Sequence, residues 1–449
     1  MVLISNEISK RNLYDRVKKL LVSYEWSDCR FSVSGKDFKA HKLILGISSP
    51  VFEAMFYGPL STDHDVVITD IEPGIFQLLL NYIYTDNVEI ISIEQAFELL
   101  YASRKYLLEH LSEMCIAYIK ENISIDNVIE ILNYPEYLQD KQLISSSLNL
   151  FCQHAYHLIH ENEMLLSSEY LKLILERDRI NVMEKDLIKH VFEWSQYICK
   201  LNNMACTLEN RRKILIENGI LKLLRFFTLS IDDFEEVIKD DNNLLLPNES
   251  IYIMRVLRQS EDVISNDTNN LLNLSLIPRS PLKMQWQFCH RSPIRPVAPL
   301  VIDSSNYIVT TRLKCNKSIF INSLYIPTRM SPPITFRNNG PEKYSELLCV
   351  SIISESDNNV IKQTNFLNTV QYNAFVDVEL NEPCLIKKDE WYKIRFLWPQ
   401  HSYVPHAYMV EFRDSVYKGY QISLKFNDIL SVGTVGRHGS FLGGLKYCL

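Results

Sequence analysis

Long apolar runs, paired cysteines and excess positive charge are all missing from this 449-residue sequence. No apolar run approaches the roughly 20 residues that a membrane-spanning helix needs. Ten cysteines are spread from Cys29 to Cys448 without a CxxC pair, which favours reduced thiols over a disulfide framework or structural zinc. The net charge of −7 gives no general field for holding phosphates or anionic lipids. We therefore expect neither nucleic acid nor a membrane as partner.

The remaining composition is that of a globular protein. Hydrophobic residues make up 47% of the chain and charged residues 22%, with 12 glycines and 17 prolines, which excludes a fibrous or largely disordered chain. The length allows two to four domains. The first residues carry scattered charges, which is not typical of a secretory signal. We expect a cytoplasmic protein and leave a nuclear location open.

Local patterns divide the chain into five parts. After a tail over residues 1–11, residues 12–121 mix helical stripes with a hairpin around Ser34–Asp37. Residues 122–245 carry helical periodicity almost throughout, and residues 246–284 are polar and Pro-bearing, as in a linker with some helix. Residues 285–449 contain short alternating runs, which predict an antiparallel β-sandwich.

Residues 12–121 contain the motifs SDCRFSV, AHK before the first apolar helix, SSPVFEAMFYG, and FQLLLNYIYT. Through these motifs they resemble a BTB/POZ domain. Residues 122–245, with EKDLIKHVFEWSQY and RRKILIENGILKLLRFF, resemble a BACK domain. Residues 285–449 are more distantly similar to the PHR-like sandwich, through NKSIFINSLYI and FVDVELNEPCLIKKDEWYKI. The resemblance implies an α+β BTB/POZ domain, an all-α BACK domain and a C-terminal sandwich.

This resemblance implies a homodimer or a higher BTB oligomer. In the family, the first helix packs across the twofold axis, and an acid–base pair lies in a charged pocket at the interface. The corresponding residues of this chain are Leu13, Val17, Leu20, Asp28 and Lys42. The alternative for Asp28 and Lys42 is a pair of solvated element ends, since exposed ion pairs are common and contribute little.

The resemblance also implies binding to a cullin-3 scaffold. Family members that bind it carry an apolar residue, any residue and then Glu in the loop after the apolar helix that contains SSPVFEAMFYG, where this chain has Leu60-Ser61-Thr62. The missing carboxylate weakens this expectation. The residues at matching contact positions are Met55, Phe56, Leu60, Thr62 and Tyr106. Core packing is an equal alternative for Met55 and Phe56, because one helix stripe must face inward.

A Tyr- and Arg-bearing stretch near the C-terminus is the candidate substrate contact. Its residues are Tyr403, Tyr408, Arg413 and Tyr417, and tyrosine and arginine are enriched at binding hot spots. The alternative is that these aromatic residues close one end of the sandwich.

Other polar clusters predict no chemistry. His154, His157 and His160 lack a second cluster that would complete a metal site, and a solvated helix surface explains them better. The basic run that starts at Arg211 is expected to cap or solvate a helix. An enzyme would need a pocket formed by a convergent polar set, the best being Arg395, His401, His406 and Arg437. We expect no catalytic residue, metal or cofactor.

Together these observations predict a dimeric, non-catalytic adaptor that recruits a protein substrate to a cullin-3 RING ubiquitin ligase. A dimer carries two substrate-binding sandwiches, which would raise the effective concentration for the second binding event. The alternative is a BTB scaffold in transcriptional or cytoskeletal assembly that has lost cullin binding, and Thr62 is the residue that supports it.

Overall fold

The computed structural model describes residues 12–59, 65–135, 140–161, 166–258, 272–273, 275–291, 299–304, 307–332, 342–399, 405–409, 415–419, 421–429 and 441–449. The chain forms two compact units. The N-terminal unit comprises Met1–Ile123 and Glu130–Asn149, and the C-terminal unit comprises Ser124–Ile129 and Leu150–Leu449.

Helices surround a small sheet in the N-terminal unit. The elements up to residue 123 are α1 (Leu13–Ser23), β1 (Cys29–Val33), β2 (Lys36–Ala40), α2 (Lys42–Ser48), α3 (Pro50–Tyr57), β3 (Val66–Ile68), α4 (Pro73–Thr85), α5 (Ile93–Lys105) and α6 (Glu109–Asn122). They are followed by α7 (Val128–Asn133) and α8 (Lys141–Gln153). Of the three boundaries between the units, one precedes α7, one falls inside α7 and one falls inside α8.

The three-stranded sheet has the order β2-β1-β3, antiparallel between β1 and β2 and parallel between β1 and β3. Its hairpin turns on two residues, Ser34 and Gly35, both with positive φ (48° and 83°), as a tight two-residue hairpin requires. The sequence pattern predicted a turn over Ser34–Asp37. The actual turn is shorter, so β2 begins at Lys36 and pairs it with Val33.

Ser49 and Pro50 divide the apolar stretch after His41 into two helices where its spacing predicted one. Ser49 is extended (φ −140°) and its hydroxyl accepts from the Phe52 amide, capping α3 with Pro50 in the first turn, because proline disfavours helical geometry in the preceding residue. The Ser49 hydroxyl also donates to the carbonyl of Tyr106, 2.6 Å away. The break thereby fixes α3 against the end of α5.

Aromatic side chains fill the centre of the N-terminal unit. Phe31 lies within 5.7 Å of Phe52 and 5.1 Å of Phe76, measured between ring centroids, and Phe52 stacks on Tyr106 at 4.3 Å. All four side chains are buried, so β1, α3, α4 and the end of α5 share one core.

The first half of the C-terminal unit is helical. Its elements are α9 (Ala155–Glu161), α10 (Ser168–Leu175), α11 (Glu184–Leu201), α12 (Leu208–Glu217), two 3-10 turns (Leu221–Leu223 and Phe226–Thr228), α13 (Ile231–Lys239) and α14 (Pro247–Arg258).

Arg279 anchors the end of the predicted linker, residues 246–284, to this helical region. Its guanidinium binds Glu184 and also donates to the carbonyls of Leu175 and Leu223, and its side chain is buried. Ser280 exchanges backbone hydrogen bonds with the neighbourhood of Asp178. A segment held in this way is part of the folded unit.

Antiparallel strands form the rest of the C-terminal unit. They are β4 (Gln287–His290), β5 (Leu300–Ile302), β6 (Ile308–Cys315), β7 (Ile319–Pro327), β8 (Lys343–Ser354), β9 (Val360–Gln371), β10 (Phe375–Ile386), β11 (Trp391–Leu397), β12 (His406–Tyr408), β13 (Val416–Lys418), β14 (Ser423–Ile429) and β15 (Gly444–Cys448).

Two larger sheets share one hydrophobic cluster in this region. Their strand orders are β10-β7-β15-β4 and β13-β14-β6-β11-β8-β9, and β12 pairs with β5. The cluster includes Ile321 of the first sheet and Ile352 and Ile394 of the second, all fully buried. This is the packing that a sandwich requires.

Candidate functional site

Helix α1 has both buried and exposed apolar residues. Asn12 caps it by accepting from the amide of Asp15, and Leu21 is buried while Val17 and Leu20 pack partly against the core. Leu13, Tyr14 and Val22 are nevertheless exposed. An isolated unit gains nothing from exposing these side chains, so α1 has the composition of a helix that contacts a partner.

Helix α2 and the segment before it add further exposed apolar residues. Leu43 and Ile47, one helical turn apart, are exposed, Ile47 to 77%, and Trp26 is 83% exposed. Both α1 and α2 pack against α4. We call the exposed apolar residues of these elements the α1–α2 face; they are Leu13, Tyr14, Val22, Trp26, Leu43 and Ile47.

His41, missed as a site residue by sequence reasoning, fixes α1 and α2 relative to α4. Its Nδ1 lies 2.7 Å from the hydroxyl of Tyr84, its backbone amide donates to the same hydroxyl, and its Nε2 lies 2.7 Å from the carbonyl oxygen of Glu25. A neutral ring with its proton on Nε2 satisfies all three contacts. Burial raises the pKa of Tyr84, which keeps that hydroxyl protonated as the donor to Nδ1.

Asp28 and Lys42, the predicted interface pair, lie together at the start of α2. The Asp28 carboxylate accepts from the backbone amide of Lys42 at 2.7 Å, so Asp28 caps a helix whose own N-cap residue offers no side-chain bond. The ammonium group of Lys42 lies 5.8 Å from the ring centroid of Phe56. The interface role of this pair stays a prediction. The structure adds a helix-capping role for Asp28 that the sequence did not indicate.

The predicted cullin contacts lie largely inside the unit. Phe56 and Tyr106 are buried, Met55 is half-buried, and Leu60 and Thr62 lie outside the described residues. Buried side chains add no contact surface, so core packing is the better interpretation of Phe56 and Tyr106 in this structure.

The residues that follow Phe56 and Tyr106 are the exposed ones. Tyr57 is 58% exposed and Leu107 is 57% exposed. Leu107 also has a φ of 53°, a left-handed conformation that ends α5: its amide donates to the Arg104 carbonyl and the Leu108 amide donates to the Ser103 carbonyl. The sequence indicated Tyr57 and Leu107 only as neighbours of the family positions. Consecutive residues of a helix lie on different faces, so the position next to a buried residue can be exposed.

Comparison with known proteins gives the N-terminal unit its family. Residues 17–123 match the model of the BTB/POZ domain. This part of the chain is a BTB/POZ domain. The human BTB/POZ domain-containing protein 3 is 31% identical over 196 residues, which cover 43% of this chain and 37% of that protein. BTB/POZ domain-containing protein 6-B of Danio rerio is 28% identical over 197 residues, 43% of this chain and 40% of that protein.

Among solved structures, the BTB domain of zebrafish PATZ1 aligns with 23% identity and a TM-score of 0.22, covering 24% of this chain and 90% of that one. The chain spans well under half the length of the human and Danio rerio BTB/POZ domain-containing proteins that it matches. BTB domains mediate homomeric and heteromeric protein–protein interactions, which is what the exposed α1–α2 face of this BTB/POZ domain is suited to do.

In the C-terminal unit, a buried carboxylate organises one region of the sandwich. Glu346 accepts from the hydroxyls of Tyr344 at 2.6 Å and Tyr408 at 3.0 Å, and from Arg329 at 3.2 Å. Trp398 donates its indole N–H to Tyr408. Every polar atom of Glu346 therefore has a partner, which stabilises a charge that would otherwise be costly to bury.

One of the four predicted substrate contacts, Tyr408, belongs to this network. Tyr408 is fully buried within it, so its side chain closes the sandwich and offers no exposed contact. Tyr417 is half-buried on β13 and donates to the carbonyl of Phe288 at 3.3 Å. Tyr403 and Arg413 lie outside the described residues, and their role stays a prediction.

One member of the histidine run, His154, lies between α8 and α9 and is less exposed than predicted. His154 is buried, its ring stacks on Phe320 with centroids 4.8 Å apart, and its Nε2 lies 3.1 Å from the carbonyl oxygen of Leu449. Burial lowers the pKa of His154 to about 4. The solvated-surface interpretation is therefore wrong for His154, which is neutral at physiological pH.

The basic run at Arg211 is also an internal feature. Arg211 donates to the carbonyl of Phe192 and the hydroxyl of Ser195, and Arg212 forms a two-bond pair with Glu249 at 2.8 and 2.9 Å. Both arginines are buried. They hold α11, α12 and α14 together, so the prediction of a solvating run was wrong for both.

The four residues of the enzyme alternative do not form a described site. His401 and Arg437 lie outside the described residues, Arg395 is on β11, and His406 is on β12 with its Nε2 2.9 Å from Arg329. Across the described part of the chain, no group of three or more acidic, His or Cys side chains is placed to hold a metal ion. No described helix combines the length and apolarity needed to cross a membrane.

Proposed function

We propose that this chain is a dimeric, non-catalytic adaptor of a cullin-3 RING ubiquitin ligase. Its BTB/POZ domain dimerises and binds the cullin, the helices after it act as a BACK domain that extends the cullin-binding surface, and the PHR-like sandwich holds a protein substrate. The observation that carries the proposal is a BTB/POZ domain that exposes apolar residues on two sets of elements: the α1–α2 face, and the pair Tyr57 and Leu107.

The first set is the α1–α2 face, which we assign to dimerisation. Exposing six large apolar side chains to water on one small unit is unfavourable. Each Å² of apolar surface that they bury against a partner contributes roughly 25 cal/mol to the free energy of association. A second copy of the same face satisfies this requirement through twofold symmetry. The contact from Asp28 to Lys42 orients α2 for this role.

The second set is Tyr57 and Leu107, which we assign to the cullin. Both residues follow positions that match cullin contacts in the family, and the Ser49–Tyr106 hydrogen bond joins the start of α3 to the end of α5. Leu107 is exposed and ends α5 in a left-handed conformation, with the Leu108 amide donating to the Ser103 carbonyl, which fixes its position at the end of the helix.

Calorimetric titration of the full chain with the N-terminal domain of cullin-3 tests the proposal. We expect binding by the wild type, loss of binding for Leu107→Asp and Tyr57→Asp, and unchanged binding for Ile91→Asp, a matched change at another exposed apolar residue. Thr62→Glu restores the family carboxylate and is expected to tighten the complex several-fold, as one rim charge contributes about 1 kcal/mol.

The alternative function, a BTB scaffold without cullin binding, is favoured by the burial of Phe56 and Tyr106. The same titration separates the two functions. A wild type that fails to bind, together with a Thr62→Glu variant that binds, would support the scaffold and would end the ligase assignment for the natural sequence.

A further inference from the structure

A cleft of about 460 Å³ in the N-terminal unit is lined by residues other than those discussed above. Ile71, Ile75 and Phe97 line it and are buried, and the segment Thr69–Glu72 after β3 forms one rim. Its volume lies within the usual range of clefts that bind a ligand, roughly 300–1,000 Å³.

Two tyrosines line the cleft above this apolar floor. Tyr134, from the segment after α7, stacks on Phe97 with ring centroids 3.7 Å apart and planes within 8°. Tyr101 on α5 donates its hydroxyl to Asp70 at 2.6 Å. Stacking and hydrogen bonding hold both rings in place, so the cleft is formed before any ligand arrives.

The remaining lining groups are acidic. Asp70 already binds Lys105 at 2.6 and 2.7 Å. Within the described residues, the carboxylates of Glu72 and Glu98 have no ion-pair partner. Burial and the charges of Glu72 and Glu94 raise the pKa of Glu98. Its ionised form is therefore disfavoured, and a cation bound beside it would stabilise that form.

An arginine side chain fits this combination better than other common groups. Its planar guanidinium stacks on tyrosine rings, donates in a fixed fork to carboxylates, and stays charged at all relevant pH values. Its methylene stem can lie along an apolar floor. A lysine would pair with the carboxylates but would forgo the planar stacking.

We propose that this cleft binds an arginine side chain of a partner protein, with the guanidinium against Tyr134 and the carboxylates of Glu72 and Glu98. The site extends the interaction surface of the BTB/POZ domain beyond the α1–α2 face and the Tyr57–Leu107 surface. It does not depend on cullin binding, and its test uses neither cullin nor oligomeric state.

The test is a methyl NMR titration of the full chain labelled at isoleucine methyl groups, with N-acetyl-arginine methylamide as the probe. Ile71 and Ile75 in the cleft report binding directly. We expect their methyl signals to shift in a saturable way in the millimolar range, while N-acetyl-citrulline methylamide, which has nearly the same shape without the charge, leaves them in place.

Two variants locate the charge. Glu98→Gln and Glu72→Gln keep side-chain size and are each expected to weaken probe binding about threefold, the size of a partly exposed ion pair. Glu89→Gln, an exposed glutamate outside the cleft lining, is the matched control and is expected to bind as the wild type does. An unchanged methyl spectrum without probe shows that each variant is folded.

Equal shifts from the arginine and citrulline probes would overturn the proposal, as would full binding by both glutamine variants. Shifts confined to isoleucines away from the cleft, or no shift at any soluble probe concentration, would also overturn it. Binding should weaken as the pH is lowered and Glu98 becomes protonated, and a pH-independent affinity would contradict the role of its carboxylate.

Discussion

The two units use charge in opposite ways. In the BTB/POZ-containing unit, the described ion pairs lie near the surface, as Lys105–Asp70 does with side chains 34% and 41% exposed. In the C-terminal unit, Arg212 and Glu249 are each only 8% exposed, and the pairs Arg279–Glu184 and Arg329–Glu346 are similarly enclosed. Exposed pairs contribute about 0–1 kcal/mol, whereas removing one partner of a buried pair costs about 3–5 kcal/mol.

The two units are stabilised by different kinds of interaction. The N-terminal unit relies on an aromatic core and leaves its α1–α2 face apolar, which suits a surface that binds. The C-terminal unit uses buried arginines to join segments far apart in sequence, which suits a region whose elements must keep one arrangement.

Breaking the Arg212–Glu249 pair is expected to have the largest effect. Arg212→Met leaves a buried carboxylate without its cation and is expected to destabilise the C-terminal unit by about 3–5 kcal/mol. Hydrogen exchange measured by mass spectrometry on peptides from α12 and α14 reports the loss, with peptides from the N-terminal unit as the internal reference.

The control is the double variant Arg212→Met with Glu249→Gln. It removes the unpaired charge and keeps an acceptor for the amide of Leu246, so it is expected to recover much of the protection. If the single variant is protected as well as the wild type, the pair has no structural role.

The C-terminal unit is also expected to be the more acid-sensitive one. Burial lowers the pKa of both His154 and His190 to about 4, below the ordinary value of about 6.5. The unfolded chain therefore binds these protons first, so stability is complete above pH 6.5 and falls as the pH drops towards 4. The slope is at most about 1.4 kcal/mol per pH unit for each histidine.

Thermal unfolding at a series of pH values between neutrality and pH 4 checks this expectation. His154→Gln, which can still donate to the Leu449 carbonyl, is expected to flatten the slope even though it loses the ring stacking. The comparison therefore uses the slope and not the melting temperature. A variant with the wild-type slope would show that His154 is not the titrating group.

The same arginines and histidines mark where sequence reasoning failed. Local periodicity predicted the helices around Arg212 and His154, but nothing nearby indicates Glu249, 37 residues away, or the Leu449 carbonyl, 295 residues away. Polar residues on a helix are usually solvated, and they become buried only when a partner from elsewhere in the sequence packs against them. Burial of a charge is a tertiary property that one sequence does not display.

Local signals were enough elsewhere. The hairpin, the helix at FQLLLNYIYT and the strands with clean alternation were predicted from their own residues. Strand β9 gives no such signal, because it lies at the edge of its sheet and most of its side chains are polar and exposed. On the candidate surface, family positions led to Phe56 and Tyr106, whereas the exposed residues are the next ones in the sequence.

The α1–α2 face offers the next largest effect. Ile47→Asp places a charge where we expect a second copy to pack, and should shift sedimentation of the full chain from dimer to monomer without lowering the unfolding temperature of dilute protein. Lys39→Asp, an exposed change on β2, is the control. A monomeric wild type, or a variant that remains fully dimeric, would remove dimerisation from this face.

The smallest effect is expected at the exposed pair between Lys105 and Asp70. Hydrogen bonds from Lys105 and Tyr101 lower the pKa of Asp70, so the pair stabilises the fold above the ordinary aspartate pKa and ceases to do so in acid. Lys105→Ala is expected to cost less than about 1 kcal/mol, as measured by denaturant unfolding at neutral pH, and less still in acid or high salt. A loss as large as that of Arg212→Met would contradict the contrast between the units, because an exposed pair would then contribute as much as a buried one.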